Sequence, residues 1–287
     1  MPFPGKFRSI CALAAVVALA AACGGSTADS PSEPADGTQA DTTDPSTPTG
    51  PGLATSTTFR LDIENPVDEN EAVDWYDVDL WDNLDSGLID RLHAKGRKVI
   101  CYFSAGSAEN WRPDYASYPR SALGKGLDGW PGEKWVDVRS AGVRAVVASR
   151  MDRAKAAGCD GVDPDNVDGY SNDTGFSLTA AHQLSFNRFL AAEGHKRGMV
   201  VGLKNDVDQI AQLVSSFDFA VNEQCFQFDE CDKVARFIAA GKAVINIEYG
   251  SVSAHKTSVC PKAKALGFFS VLSAENRMNG TYTRCTK

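Results

Sequence analysis

The sequence predicts an α/β fold, a TIM-like (β/α)8 barrel that forms a single domain behind a disordered tether. Residues 58–287 are close in length to one α/β barrel, which typically has about 250 residues. Short apolar segments recur along this region with helix-like or loop segments between them, a pattern typical of parallel strands with crossover connections. No G-x-G-x-x-G or P-loop pattern occurs that would favour an open, doubly wound sheet.

The first 22 residues have the layout of an export signal. Lys6 and Arg8 precede an apolar stretch over residues 10–22 that is too short to span a bilayer. The small residues before Cys23 are similar to those of a bacterial lipoprotein signal, in which the cysteine is lipidated after cleavage. We therefore expect residues 1–22 to be a signal peptide and Cys23 to carry a lipid. The alternative is ordinary cleavage near Ala22, which releases a soluble secreted protein.

Residues 23–57 are rich in Ser, Thr, Pro and Asp and contain almost no large apolar side chains. Such a segment cannot bury enough surface to offset the entropy lost on ordering, so we expect a disordered linker. A linker behind a lipidated cysteine would hold the domain outside a bacterial cell, attached to the membrane through the lipid only. The predicted organisation is signal 1–22, linker 23–57 and domain 58–287, with an extracellular, cell-surface location.

Nine segments have the composition of strands, one more than a (β/α)8 barrel needs. They span residues 58–63, 76–80, 98–104, 134–139, 160–170, 199–205, 219–223, 243–248 and 268–272. Two helices are clear from apolar residues at helical spacing. The first covers residues 140–157 and ends before Gly158, and the second covers residues 177–196 and is followed by Gly198.

The charge and cysteine content limit the partners and the compartment. The chain has a formal net charge of −8 at pH 7, and no part of it is basic enough to bind nucleic acid. Zinc is the competing use for the cysteines, but no C-x-x-C pair occurs and the histidines are scattered, so we expect no metal and no cofactor. An even number of cysteines beyond Cys23 indicates disulfides in an exported chain, which we expect to be a monomer. The pairings we expect are Cys225 with Cys231, Cys260 with Cys285 and Cys101 with Cys159, although sequence alone does not fix the connectivity.

The most informative segment is DGVDPDNVDGY at residues 160–170. It places four carboxylates where a buried strand becomes a loop, and packing alone does not require them. Asp163 and Asp165 share a face because side chains alternate along a strand, which puts them within roughly 7 Å of each other. Such crowding raises the pKa of at least one carboxyl, as acid–base catalysis requires. The alternative is a cation-binding or capping cluster, but Asp168 has the wrong spacing for a calcium loop.

In α/β barrels the functional residues lie at the carboxyl ends of the strands. The polar residues that fall there are Asp163, Asp165, Lys204, Asn205, Asn222, Glu223 and Glu248. Asp165 and Glu223 end two different strands at the same barrel mouth, so they are the carboxyl pair that we expect to act in acid–base catalysis. The alternative for Glu223 is a structural salt bridge.

Five motifs, in this order, resemble glycoside hydrolase family 114, the endo-α-1,4-polygalactosaminidases. They are VICYFSAG (99–106), GWPGEKW (129–135), DGVDPDNVDGY (160–170), GLKND (202–206) and NEQCF (222–226). The resemblance spans essentially all of residues 58–287 and implies a TIM-like barrel that hydrolyses internal bonds of α-1,4-linked galactosamine polymers. It implies that Asp165 is the nucleophile and Glu223 the acid/base. One departure is Asp163, where the family usually has Glu.

The implied polysaccharide substrate suggests roles for the neighbouring residues. Deacetylated galactosamine carries an ammonium group, so its subsite should present carboxylates, and the candidates are Asp163, Asp168 and Glu248. Lys204 and Asn205, with Asn222 beside them, would orient sugar hydroxyls or tune the nucleophile. The aromatic side chains considered as stacking platforms for sugar rings are Tyr170 above all, then Tyr102, Trp111 and Trp130.

Two other functions remain open at this point. One is a non-catalytic carbohydrate-binding lipoprotein of the cell surface, although a pure binder would not need the carboxyl pair at Asp165 and Glu223. The other is a barrel hydrolase that acts on a different α-glycan, which the sequence does not distinguish from the first interpretation.

Overall fold

The computed structural model describes residues 52–64, 66–274 and 282–285. The strands are β1 (Phe59–Asp62), β2 (Trp75–Asp79), β3 (Lys98–Ser104), β4 (Ser107–Glu109), β5 (Leu123–Gly126), β6 (Glu133–Val136), β7 (Gly161–Asp165), β8 (Val200–Lys204), β9 (Phe219–Glu223), β10 (Val244–Tyr249), β11 (Phe269–Ser273) and β12 (Thr283–Arg284). The helices are α1 (Leu80–Asn83), α2 (Leu88–Ala94), α3 (Ala141–Ala156), α4 (Ala180–Lys196), α5 (Ile210–Leu213), α6 (Cys231–Val234), α7 (Arg236–Ala239), α8 (Val252–Ser258) and α9 (Cys260–Leu266).

Eight parallel strands form one curled sheet that carries the fold. Their order is β1-β2-β3-β7-β8-β9-β10-β11, and β12 adds to β11 in the antiparallel direction. Helices lie in each connection between successive parallel strands from β2 to β11. The prediction of a TIM-like α/β fold is confirmed.

One predicted strand segment does not belong to this sheet. Residues 134–139 were expected to form a strand of the barrel, but β6 occupies this region and pairs antiparallel with β4 and β5 in a separate three-stranded sheet. This small sheet, which we call the accessory sheet, is inserted between β3 and α3. Alternation of apolar and polar residues is the same in both kinds of sheet, so the pattern could not identify the partner strands.

The two helices that were clear from sequence are present with small shifts at their ends. The first was expected over residues 140–157 and is observed as α3. The second begins three residues later than expected because Thr179 caps it: the Thr179 hydroxyl accepts a hydrogen bond from the His182 backbone N–H, and His182 Nδ1 accepts one from the Thr179 N–H.

Aromatic and aliphatic side chains fill the lower half of the barrel. The ring of Phe59 lies 6.5 Å from that of Phe219 and 5.5 Å from that of Phe269, centroid to centroid. Leu53 packs against the same cluster from below. A filled interior confines solvent, and any substrate, to the carboxyl ends of the strands.

The folded region starts before residue 58, where the sequence placed its boundary. The Leu53 N–H donates to the carbonyl of Asp218, and the Leu53 carbonyl accepts from the Ala243 N–H. Ala54 and Lys242 form an isolated antiparallel bridge. The signal peptide, Cys23 and most of the linker lie outside the described residues, within which no helix is long and apolar enough to cross a membrane.

The barrel closes through its last described segment. Within the described ranges β1 and β11 do not pair directly, and residues 282–285 lie between them. Arg284 Nη2 donates to the carbonyl of Phe59 at 2.9 Å, and the Tyr282 hydroxyl accepts from the Leu61 N–H at 3.1 Å. The Cys285 N–H also donates to the carbonyl of Ser270.

All three expected disulfides are present: Cys101–Cys159, Cys225–Cys231 and Cys260–Cys285. The first joins β3 to the residue that precedes the acidic motif. The second closes the loop after β9, and the third fixes the closing segment to α9. Each therefore anchors a connection at a different position around the barrel.

We expect the Cys101–Cys159 bond to contribute about 4 kcal/mol to the free energy of unfolding. Its partners are 58 residues apart, and a cross-link over a loop of this length lowers the conformational entropy of the unfolded chain. The Cys225–Cys231 bond, with a separation of 6, should contribute only about 2 kcal/mol. Urea denaturation of the two double Cys→Ala variants measures both losses. An equal loss, or a larger loss for the shorter loop, would contradict the chain-entropy explanation.

Candidate active site

Three neighbouring strands each end on a charged residue at the mouth of the barrel. The terminal residues are Asp165 of β7, Lys204 of β8 and Glu223 of β9. The residue after each has a left-handed backbone, with φ of 61° at Asn166, 50° at Asn205 and 63° at Gln224. Non-glycine residues adopt this conformation at a cost, and such strain clusters at functional sites. The chain therefore turns away sharply just after each charged side chain.

Lys204 brings the two carboxyl groups together. Its Nζ lies 3.2 Å from Asp165 Oδ2 and 3.7 Å from Glu223 Oε2, and its side chain is 5% exposed. Burial alone would lower the pKa of this ammonium group, but the surrounding carboxylates outweigh burial and raise it. Lys204 therefore stays charged and acts as a fixed bridge.

Asp165 is held on both of its oxygens. The Tyr102 hydroxyl donates to Oδ2 at 2.8 Å, and the Asn166 backbone N–H donates to Oδ1 at 2.7 Å. Burial, and then the charge of Asp165, raise the pKa of Tyr102 well above its usual value, so the phenol remains a donor. The carboxylate of Asp165 has one fixed orientation.

Glu223 is held in the same way from two other strands. The Tyr249 hydroxyl, at the end of β10, donates to Oε1 at 2.6 Å. Asn205 donates from Nδ2 to Oε2 at 3.0 Å and accepts the Glu223 backbone N–H on Oδ1 at 2.9 Å. The Glu223 side chain is 30% exposed, against 18% for Asp165, so it is the more accessible carboxyl of the two.

A buried polar network supports the turn after Asp165. Asn166 Nδ2 donates to Ser104 Oγ at 2.6 Å and to Ser107 Oγ at 2.9 Å. Both hydroxyls also donate to Glu133 Oε1, whose pKa is raised mainly by burial. Glu133 belongs to the accessory sheet, which thus fixes the orientation of the strained residue Asn166.

Gly106 allows the accessory sheet to approach this turn. The N–H groups of Ala105 and Gly106 both donate to the carbonyl of Asp165. A Cβ atom at Gly106 would lie 1.7 Å from the carbonyl oxygen of Asn166, which is well inside van der Waals contact. Only glycine fits at this position without moving the backbone beside Asp165.

Two further acidic residues lie deeper in the barrel. Asp163 precedes Asp165 by two positions on the same face, and its side chain is near Asp77 of β2. Both residues are buried, at 2% and 1% exposure. Asp163 was expected to bind an ammonium group of the substrate, but at this depth it is shielded from solvent by the residues of the mouth.

Two predicted site residues lie on the outer face of the sheet. Glu223 and Tyr249 point into the barrel, so Asn222 and Glu248, each one residue earlier, point outward. Glu248 Oε1 accepts hydrogen bonds from the Phe226 N–H and from Asn246 Nδ2, and the residue is 1% exposed. The expectation that Glu248 contacts substrate is therefore wrong, because one step along a strand reverses the direction of the side chain.

Asn222 has a supporting position. It is 2% exposed and donates from Nδ2 to Asn205 Oδ1 at a long 3.4 Å. Its contact is with the residue that orients Glu223. A direct contact of Asn222 with substrate does not fit this burial.

Asp168 and Tyr170 lie beside the loop that follows β8. The Tyr170 hydroxyl is within hydrogen-bonding range of Asp206, which is 3% exposed and also accepts a bond from Asn187 Nδ2 at 2.7 Å. Burial first, and then the nearby charge of Asp168, raise the pKa of Asp206 to about 8. These residues connect the loops after β7 and β8 rather than joining the Lys204 bridge.

Sequence reasoning missed two groups and assigned another a different role. Tyr249 and Asp77 were not singled out, and Tyr102 was considered only for stacking. Strand alternation gave no signal for the two missed residues, because Glu248, which was identified on β10, points the opposite way from Tyr249, and no residue was identified on β2, where Asp77 lies. Trp111 and Trp130, also considered for stacking, are half exposed near the outer end of the accessory sheet.

A TIM-like barrel that gathers carboxyl groups at its mouth is an architecture of glycoside hydrolases. Residues 37–287 match glycoside-hydrolase family GH114. The chain belongs to this family and is a glycoside hydrolase.

One solved structure supports the family assignment, and a second has the same fold. The crystal structure of Aspergillus fumigatus Ega3 in complex with galactosamine has 43% sequence identity and a TM-score of 0.77, and the match covers 82% of this chain and 97% of that one. The glycoside hydrolase domain of PelA from Pseudomonas aeruginosa has 14% identity and a TM-score of 0.61 over 80% of this chain and 98% of that domain, which shows a shared fold. An uncharacterized protein of Deinococcus radiodurans is 25% identical over 230 residues, 73% of this chain and 71% of that protein.

Replacing Gly106 by Ala should lower the free energy of unfolding by about 3 kcal/mol, the upper range for overpacking, and should reduce hydrolysis because it displaces the turn that holds Asp165. Gly126→Ala is the matched control, since the nearest atom to its added Cβ is 3.9 Å away, and it should change stability by less than about 0.5 kcal/mol. Denaturation and activity assays on both variants test this. A Gly106→Ala enzyme that matched Gly126→Ala in both would contradict it.

Proposed function

We propose that this chain is an extracellular endo-acting hydrolase of α-1,4-linked galactosamine polymers, with Asp165 as nucleophile and Glu223 as acid/base. The observation that carries the proposal is the Lys204 bridge, which holds both carboxyls at one point of the barrel mouth. Similarity to Ega3, whose crystal structure contains galactosamine, supports the substrate class. The family supplies the reaction class, and the geometry supports the assignment of roles.

The separation of the two carboxyls favours retention of configuration. The two distances from Lys204 Nζ limit the gap between Asp165 Oδ2 and Glu223 Oε2 to at most about 7 Å, whereas retaining enzymes have gaps of about 5 to 5.5 Å and inverting enzymes of about 6.5 to 9.5 Å. Most of the inverting range is thereby excluded. We therefore assign a double-displacement mechanism.

The first step forms a glycosyl-enzyme. An oxygen of Asp165 attacks the anomeric carbon while the bond from that carbon to the leaving oxygen breaks, and Glu223 gives its proton to the leaving oxygen. Asp165 suits attack because Tyr102 and Asn166 fix its orientation. Holding the reacting group in place removes much of the entropic part of the barrier.

The second step releases the sugar. Glu223, now ionised, takes a proton from water, the water oxygen attacks the anomeric carbon, and the bond to Asp165 breaks. Glu223 suits this exchange because it is the more exposed carboxyl, and Tyr249 and Asn205 keep it directed at the same centre. The enzyme returns to its starting protonation state.

The charge of the site supports a cationic substrate. Asp163, Asp165 and Glu223 surround a single ammonium group, that of Lys204. Because Asp163 is buried, it would attract the substrate through its field rather than by contact. A hydrolase of a neutral α-glycan is the second candidate, and substrate comparison separates the two.

Export and anchoring complete the proposal. Three disulfides fit an oxidising compartment. A signal over residues 1–22, lipidation of Cys23 and a linker beyond it would place a monomeric domain outside the cell. Metabolic labelling with a fatty acid, lost in Cys23→Ala, tests the anchor independently of catalysis.

Chemical rescue should identify both catalytic roles. Asp165→Ala and Glu223→Ala should each lose several orders of magnitude in kcat, because each removes a group that acts in bond cleavage. With azide, Asp165→Ala should yield the β-glycosyl azide, since azide takes the place of the nucleophile, whereas Glu223→Ala should yield the α-azide. NMR of the products distinguishes them, and Asp173→Asn, an exposed carboxyl, is the control. If each variant gave the opposite anomer, the roles of Asp165 and Glu223 would be reversed. An Ala variant that kept more than about a tenth of the original turnover without azide would exclude that residue from the catalytic pair.

Partially deacetylated polymer should be cleaved faster than the fully acetylated form, because its ammonium groups are attracted to the acidic site. The preference should shrink as salt is raised to about 0.5 M, where the Debye length falls to roughly 4 Å. Measurement of kcat/KM on both polymers over this range checks it. Equal or greater activity on the acetylated polymer at low salt would favour a neutral α-glycan as substrate.

A further inference from the structure

Asp77 and Asp163 form a buried pair that the mechanism above does not use. Asp77 lies on β2 and Asp163 on β7, on either side of β3. Ile100 of β3 is in register with Asp77, and Tyr102, two residues further along β3, is in register with Asp163. Both carboxyls therefore lie on the inner face of the sheet, two residues apart along the strand direction. Both side chains are almost completely shielded from water.

The pair lacks hydrogen-bond donors. Among the described residues, no N–H or hydroxyl group donates to either oxygen of Asp77 or to Oδ1 of Asp163. Two bare carboxylates in such a place would be strongly unfavourable, whereas a carboxyl group and a carboxylate satisfy each other through one shared proton. Burial raises the pKa of both carboxyls, that of Asp77 well above its usual value and that of Asp163 to about 7, and the charge of Asp163 adds to the rise at Asp77.

The charged groups around the pair come from three strands. Lys204 of β8 favours ionisation of Asp163, whereas Asp165 of β7 and Glu223 of β9 oppose it. The same lysine and Asp165 act on Asp77. The pair is thus the third acidic neighbour of Lys204, on the side away from the mouth.

We propose that Asp77 and Asp163 share one proton and act as a single negative charge that positions the Lys204 ammonium group between Asp165 and Glu223. Both are positioning residues, because they act through Lys204 and do not touch the substrate. The assignment rests on the proposed function for its effect on turnover, but the shared proton itself is measurable without substrate.

The protonation state of the pair determines its effect. Loss of the shared proton would place a second negative charge below Lys204 and draw the ammonium group away from the mouth. Gain of a second proton would leave Lys204 without its lower counter-charge. Only the singly protonated pair balances the attraction of the two carboxyls at the mouth.

Asp77→Asn is the decisive variant, because the amide donates permanently to Asp163 and cannot ionise. In the original protein the Asp77 carboxyl keeps its proton on folding. Its contribution to the free energy of unfolding is therefore fully present below the unfolded pKa of about 4, and this contribution is lost as pH rises towards the folded pKa. Asp77→Asn should remove this loss. Its melting temperature should match the original near pH 4 and exceed it by at least about 3 °C at pH 8.

Turnover and spectroscopy complete the test. Asp77→Asn should keep kcat within about threefold, whereas the double variant Asp77→Asn/Asp163→Asn, which has no charge below Lys204, should lose at least about tenfold in kcat with a smaller change in KM. Infrared difference spectra at neutral pH should show that Asp77→Asn loses one carbonyl band of a protonated carboxyl, whereas Asp173→Asn loses none. Bands of other protonated carboxyls, such as Asp206, are common to the variants and cancel.

Three results would overturn the proposal: no protonated-carboxyl band lost in Asp77→Asn, an Asp77→Asn stability difference that does not grow with pH, or a double variant as active as the single one. The first two do not involve substrate, so they are independent of whether the polymer assignment holds. If the rescue experiment failed but the band and the stability difference were present, the shared proton would stand and its catalytic purpose would not.

Discussion

One buried ammonium group is the constraint on which the site depends. Lys204 is 5% exposed and sits within 4 Å of two carboxyls from neighbouring strands. Removing an ion from water costs several kcal/mol, and a single attraction at about 4 Å returns about 4 kcal/mol at an effective dielectric of about 20. One partner would barely offset the burial of Lys204, whereas the surrounding carboxylates do so together. Lys204 and its partners are therefore stable only as a group.

The backbone beside this group is equally constrained. Three left-handed residues in equivalent positions each cost about 1 to 3 kcal/mol, and two of them, Asn166 and Asn205, are of a type that tolerates this conformation. Their side chains then make the hydrogen bonds that orient the turn after Asp165 and the carboxylate of Glu223. The strained residues are thus also the ones that hold the site, and the accessory sheet supports the first of them through Glu133.

Much of this was accessible from the sequence. The alternation of strands and helices predicted the barrel, and the ends of three strands predicted Asp165, Lys204 and Glu223 as candidates. The sequence did not predict which side chains point into the barrel, or which strands are neighbours. Glu248 and Tyr249 are adjacent, and only the exact phase of β10 decides that the tyrosine points inward. Asp77 sits in the middle of an ordinary alternating strand, and its meeting with Asp163 depends on β3 lying between them, which no local pattern encodes. The strand at residues 134–139 joined the accessory sheet because its partners are equally short local segments.

The seam of the barrel joins residues that are very far apart in the chain. The bonds from Leu61 to Tyr282 and from Arg284 to Phe59 span 221 and 225 positions. Contacts of such high sequence separation form late, since the entropy of closing the loop between them must be overcome first. Before the seam forms, the sheet has two open edges, at β1 and β11, and an open edge can pair with another molecule. The Cys260–Cys285 bond holds the closing segment beside its own half of the sheet. In an oxidising environment this segment is therefore already in place, and only its docking on β1 remains. The time in which an open edge can pair with another molecule is correspondingly shorter.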